Sequence, residues 1–213
     1  LVPMLAAAFG LGSLLFVGGF GGPTSKGCRR RAHRPVVLVV VLALAISGSW
    51  IGANSPRVAW FGAQVSHGSR VTRTVALTFD DGPNSTATLA IRDVLDHYGV
   101  KATFFSVGRA IDARPDIARA LLDDDQLVAN HSYAHDSLRW LDPRYPELAR
   151  AEAAISRQTG MCPAFYRAPH GQHTPFVALA VRERGMTMVG WDGSGPGVAT
   201  DAVAAVGVAS CGP

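Results

Sequence analysis

Three short polar clusters in this 213-residue chain have the residue types for hydrolytic chemistry. The first is Asp80-Asp81, reached at the end of the alternating run Val75, Leu77, Phe79 and closed by Gly82-Pro83. The alternation predicts a buried strand, and Gly-Pro forbids its continuation. Adjacent carboxylates at a strand end resist burial, so either a ligand or positive charge compensates them, or they lie on a solvated turn. The second cluster is His131 and His135, whose four-residue spacing on a helical turn would put both imidazoles on one face. With one carboxylate they provide the His₂-Asp set of a zinc site that retains an open position. Taken alone, two unrelated histidines have this spacing more often. The third cluster is Arg167-Ala168-Pro169-His170-Gly171. Each cluster directly follows a predicted strand, and three strand ends on one edge of a sheet converge by geometry.

The elements that must hold these clusters follow from periodicity. Residues 85–98 read as an amphipathic helix, capped by Ser85 or Thr86, with Leu89, Val94, Leu95 and Tyr98 inward. Further helices are predicted over 115–124, with Pro first and Ile117, Leu121 and Leu122 inward, over 146–159 ending at Gly160, and over 174–184 ending at Gly185. Strands are predicted over 100–107, 126–129 and 186–191. Strands alternating with helices imply an α/β fold with parallel pairing and a site at the C-terminal strand ends.

With these residues in order, the chain resembles the polysaccharide deacetylase family, the NodB-homology carbohydrate esterases of family 4. The matching stretches are Thr78-Phe79-Asp80-Asp81-Gly82-Pro83, Ala102-Thr103-Phe104-Phe105, Val128-Ala129-Asn130-His131-Ser132-Tyr133-Ala134-His135 and Arg167-Ala168-Pro169-His170-Gly171. The resemblance implies a distorted (β/α) barrel and hydrolysis of N-acetyl, sometimes O-acetyl, groups on sugars. It assigns Asp81, His131 and His135 to a divalent metal, with Zn²⁺ expected. Asp80 becomes the general base that deprotonates the attacking water, and Arg167 orients Asp80. Pro169, His170 and Gly171 form a substrate-side turn whose amide at His170 faces the developing oxyanion. Trp191 resembles the aromatic wall beside the acetyl methyl, although a strand-end core residue reads the same way. His173 has no role in this pattern and reads as a surface histidine.

The chain departs from the family after Trp191. An acidic residue followed by Trp is expected where Gly197-Val198 stands, and no histidine follows His173 to serve as the general acid of the family's Leu-x-His strand. The barrel is therefore expected to lack its last βα units. A shifted reading frame near residue 193 would account for the change of composition. This leaves two rival expectations: a non-catalytic surface module that binds metal or glycan, and an O-acetyl esterase, whose alkoxide leaving group depends less on the missing acid.

The expected organisation is an apolar signal or anchor region over 1–53 with a basic cluster at 26–34, a linker over 54–73, the deacetylase domain over 74–192 and an atypical tail over 193–213. Residues 35–53 carry no charge, and as a helix span roughly 28 Å, near the thickness of a bilayer core. Basic residues before such a run predict a secretory signal or membrane anchor that leaves the domain on the extracellular face, secreted or anchored. The net charge of +4 does not point to nucleic acid. Residues 1–34 hold five of the 20 basic residues and no acidic one, so the remainder balances 15 basic against 16 acidic residues. The expected partners are an N-acetylated cell-envelope polysaccharide, peptidoglycan or chitin-like, and a membrane, with the protein a monomer. Cys28, Cys162 and Cys211 have no CxxC spacing and are not expected as metal ligands, while Cys162 and Cys211 are candidates for an extracellular pair.

Overall fold

The computed structural model describes residues 26–69, 71 and 74–193, with side chains from Arg34 onward. The apolar stretch before Lys26, Gly197-Val198 and Cys211 lie outside the described residues. The chain divides between Ile46 and Ser47 into two compact units.

Helix α1, Lys26–Ala53, begins ahead of the apolar run and continues through Pro35. Its stretch Arg34–Ala53 is long and apolar enough to cross a membrane by length and composition. Val36, Leu38, Val40 and Leu42 on it are exposed.

The second unit is α/β. Its strands are β1 (Gln64–Val65), β2 (Thr78–Asp80), β3 (Thr103–Ser106), β4 (Leu127–Asn130), β5 (Phe165–Tyr166) and β6 (Thr187–Val189). They form one sheet of order β1-β6-β5-β4-β3-β2, parallel at every pairing. Helices α2 (Ala87–His97), α3 (Gly108–Ala113), α4 (Pro115–Asp123), α5 (Pro146–Thr159) and α6 (Pro175–Glu183) connect them. Among the described residues the sheet is open, with β1 and β2 at its edges. Gln64 and Val65, in the segment read as a linker, form β1 against Met188 and Val189 of β6.

Strand alternation sorts the core onto two faces. Phe104 and Val128 turn toward α2, α3, α4 and α5, where Leu95, Ile111, Leu121 and Ile155 bury with them. Phe105, Ala129 and Val189 cluster on the other face. Burying one such large apolar side chain contributes about 1.5–3 kcal/mol. Behind β5, the hydroxyls of Tyr145 and Tyr166 share a hydrogen bond of 2.6 Å. Burial pushes Tyr145 up to about 12 and Tyr166 well above its usual range.

The expected inward set of α2 is corrected in part. Thr88 and Leu95 are buried and Ile91 packs against the core, whereas Val94 and Tyr98 are exposed. Positions 88, 91 and 95 recur at the helical period, while Val94 is rotated by one residue from Leu95 and Tyr98 lies past the helix end as its C-cap residue. Neither Ser85 nor Thr86 caps the helix by its side chain. The carboxamide oxygen of Asn84 accepts from the amides of Thr86, Ala87 and Thr88 at 3.2, 2.7 and 3.3 Å.

Candidate active site

Parallel pairing sets the C-terminal ends of β2, β3, β4, β5 and β6 on one edge. Asp80 ends β2 opposite Phe105, and Asn130 ends β4 opposite both Ser106 and Tyr166. The ladder runs one step further, with the amide of His131 bonded to the Ser106 carbonyl and that of Arg167 to the Asn130 carbonyl, each at 3.0 Å. Asp80-Asp81, His131, Arg167 and Trp191 therefore all emerge at one rim.

Asp81, His131 and His135 come together there, with ligating atoms within 4.8 Å of one another. His135 Nε2 lies 3.1 Å and His131 Nε2 3.6 Å from Asp81 Oδ1. His131 is almost fully buried, and its Nδ1 faces the Arg167 carbonyl at 2.8 Å. Donation of the Nδ1 proton to that carbonyl leaves the Nε2 lone pair directed at Asp81. Burial lowers the pKa of His131, against the charge of Asp80, which favours the neutral ligating form. One carboxylate and two such imidazoles fit a divalent cation of the zinc type.

The two imidazoles do not converge on a helical turn, as the spacing alone suggested. Residues 131–135 are non-helical, and Ser132 and His135 have left-handed φ of 66° and 53°. The amide of Ser132 donates to Asn130 Oδ1 and that of His135 to Ser132 Oγ, both at 3.0 Å. These local bonds replace the helical ladder.

Beside this cluster Arg167 holds Asp80. Its Nη1 donates to Asp80 Oδ1 at 2.7 Å and to Thr78 Oγ1 at 2.9 Å, and its Nη2 donates to the Gly190 carbonyl at 3.1 Å. The guanidinium lies 4.0 Å from the Phe105 ring centroid and 5.7 Å from that of Trp191. Burial pulls the Arg167 pKa below its usual range, with the Asp80 charge acting against it.

The turn Pro169–Gly171 carries left-handed φ at His170 (56°) and Gly171 (69°). A Cβ at Gly171 would sit 2.9 Å from Trp191 Cη2, so a side chain is excluded there on both counts. Pro169 and Gly171 are buried, His170 is exposed and Trp191 is half-buried. The His170 ring lies 4.6 Å from that of His135, edge to face.

His173 is not a surface residue. It is fully buried, with Nδ1 3.2 Å from the Gly171 carbonyl and Nε2 3.1 Å from that of Val58. An isolated histidine outside every motif gives no sign of burial. Thr78 was also missed, although it shares a strand face with Asp80 two residues on.

The family model described as polysaccharide deacetylase matches residues 67–189, more than half of the chain. The chain belongs to this family. It is 32% identical over 125 residues to the peptidoglycan-N-acetylglucosamine deacetylase PgdA of Listeria monocytogenes, covering 58% of this chain and 26% of that protein. It is 36% identical over 135 residues to a Bradyrhizobium chitooligosaccharide deacetylase, covering 60% of this chain and 62% of that one. Among solved structures it is similar to a carbohydrate esterase family 4 pseudoenzyme from Bacillus anthracis, with TM-score 0.56, 26% identity and coverage of 61% of this chain and 47% of that one. The expected NodB-homology fold is thus the observed one. The chain spans less than two thirds of the length of each of these relatives.

Proposed function

We propose that the protein is a metal-dependent hydrolase that removes acetyl groups from an N-acetylated cell-envelope polysaccharide, peptidoglycan before chitin-like chains. The observation carrying this reading is the Asp80–Arg167 pair standing beside the Asp81, His131 and His135 cluster. Asp81, His131 and His135 would hold the cation, with Zn²⁺ favoured by the mixed nitrogen and oxygen donors. When bound, such a cation polarises a carbonyl oxygen and makes a water more acidic.

Asp80 accepts the proton of the attacking water and returns it to the amine nitrogen as the C–N bond of the acetamide breaks, releasing acetate. Arg167, fixed by Thr78, the Gly190 carbonyl and the Phe105 ring, keeps the Asp80 carboxylate aimed at that position. The Pro169–Gly171 turn and Trp191 bound the acetyl group, with the amide at His170 directed to the oxyanion. The names of the relatives, a peptidoglycan deacetylase and a chitooligosaccharide deacetylase, support the substrate class. The apolar helix supports a membrane-anchored or secreted protein on the extracellular face.

The test is acetate release from N-acetylglucosamine oligomers and from peptidoglycan, with zinc and with chelator. Chelator-sensitive release is the expected result. Zinc uptake without release from either substrate would overturn the hydrolase reading and leave a binding module.

A further inference from the structure

The loop that presents His131 and His135 holds two residues with side chains in the left-handed region, Ser132 and His135. Such a backbone persists only where its surroundings over-determine it. Helix α3 supplies one side of the brace. The amides of Gly108 and Arg109 donate to the Ser132 and Tyr133 carbonyls at 3.0 and 2.9 Å. A Cβ at Gly108 would lie 2.7 Å from the Tyr133 ring and 2.9 Å from Ala151 Cα, so only glycine permits this approach.

Helix α5 supplies the other side. The amide of Ala134, next to His135, donates to Glu147 Oε2 at 2.8 Å. Glu147 is only 2% exposed although it is charged. It lies in the first turn of α5, where the helix dipole favours a carboxylate. Its Oε1 receives Arg150 Nη1 at 3.0 Å, and the Arg150 guanidinium stacks 4.0 Å from the Tyr133 ring centroid.

We propose that Glu147 is a positioning residue for cation binding. Its carboxylate, fixed on α5, sets the Ala134 peptide and thereby holds the His135 imidazole 3.1 Å from Asp81. Glu147 itself touches neither the cation nor the substrate. The inference rests on the reading of Asp81, His131 and His135 as cation ligands. A role confined to stabilising the start of α5 would leave cation affinity unchanged in a folded variant.

The experiment measures zinc affinity of the full chain in detergent, by competition with a chromophoric chelator, for wild type, Glu147→Gln, Glu147→Asp and Glu147→Ala. Circular dichroism and thermal unfolding establish which variants fold. Gln keeps an oxygen acceptor at the same reach, whereas Asp keeps the charge but withdraws the acceptor by one methylene. The expected order is Gln near wild type, with Asp and Ala weakened about 10–100-fold, as for other groups that orient a metal ligand. Folded Glu147→Asp binding zinc as tightly as wild type overturns the inference, and so does Glu147→Gln binding more weakly than Glu147→Asp. This comparison stands even where Glu147→Ala does not fold. Absence of zinc uptake by wild type overturns the ligand reading itself, an outcome distinct from wild type and variants binding alike.

Discussion

Arg167 Nη1 and Asp80 Oδ1 lie 2.7 Å apart, although 87 residues separate them in the chain. The Arg167 side chain is buried, while that of Asp80 is about one third open to solvent. The arginine is thus fixed scaffold and the carboxylate is the reachable partner. Asp80→Asn keeps the volume and removes the base, so acetate release should fall about 10²–10⁴-fold with zinc uptake retained. Paired assays of acetate release and zinc binding check this, and a joint loss of both would contradict the division of roles.

Arg167→Lys should also lower acetate release. A single ammonium cannot serve Thr78, Asp80 and the Gly190 carbonyl in the fork geometry of a guanidinium. Arg167→Ala leaves the Asp80 carboxylate without its partner. Fully buried pairs lose about 3–5 kcal/mol in this way, and the partial exposure of Asp80 reduces the expected loss to about 2 kcal/mol. Urea unfolding of the two variants measures it.

The two histidines should respond differently to removal. His135→Ala takes away a partly exposed ligand, so zinc uptake should drop with little change in unfolding midpoint. His131→Ala removes a buried ligand and also the donor to the Arg167 carbonyl, at a further cost of about 1–3 kcal/mol. Zinc titration and thermal unfolding of both variants separate the two effects.

The parallel α/β arrangement and most helices were legible in the sequence, because alternation, proline starts and glycine stops act locally. Helix α5, Pro146–Thr159, coincides with its predicted range. Convergence of the Asp80-Asp81, His131–His135 and Arg167 clusters followed from each being placed after a strand, whereas the choice of Asp81 over Asp80 as the partner of the two histidines came from the family resemblance alone. Less was legible where long-range packing decides. Strand β1 has two residues and, among the described residues, pairs with β6 alone. The left-handed turns at Ser132 and His135 carry no glycine to announce them. Glu147 and His173 look like surface residues until α5 and the segment around Val58 are folded against the rim.

Asp112 sets a dependence on acid. Burial alone would raise its carboxyl, but hydrogen bonds from Arg157 Nη2 at 2.6 Å, Gln158 Nε2 at 3.2 Å and the Tyr133 hydroxyl at 3.2 Å, with the Arg157 charge, outweigh it and lower the pKa. A carboxyl lowered in the folded state is ionised in both states at neutral pH. As pH falls through the ordinary carboxylate range, near about 4, the unfolded chain takes up the proton first and stability declines. The contribution is complete above the unfolded pKa and gone below the folded one. The stability advantage of wild type over Asp112→Asn should therefore be constant near neutrality and shrink below about pH 4. Urea midpoints of both proteins across pH 3–7 provide the measurement, and an advantage that grows toward acid would contradict the assignment.

His173 should matter to stability before it matters to chemistry. Its two ring nitrogens face the Gly171 and Val58 carbonyls, so the imidazole lies between these two chain segments. Its main-chain amide also donates to the Ala53 carbonyl at 2.8 Å, a bond that no side-chain substitution removes. His173→Ala leaves both carbonyls without the imidazole and opens a void, which predicts a loss of about 1–3 kcal/mol from the polar groups alone. Glutamine can still donate to one carbonyl, so His173→Gln should recover part of the loss. The Gly171 turn abuts Trp191, so loosening it should also raise the KM for N-acetylglucosamine oligomers more than it lowers kcat. Urea unfolding and steady-state acetate release on the same two variants test both halves, and His173→Ala matching wild type in stability would show that the imidazole does not clasp these segments.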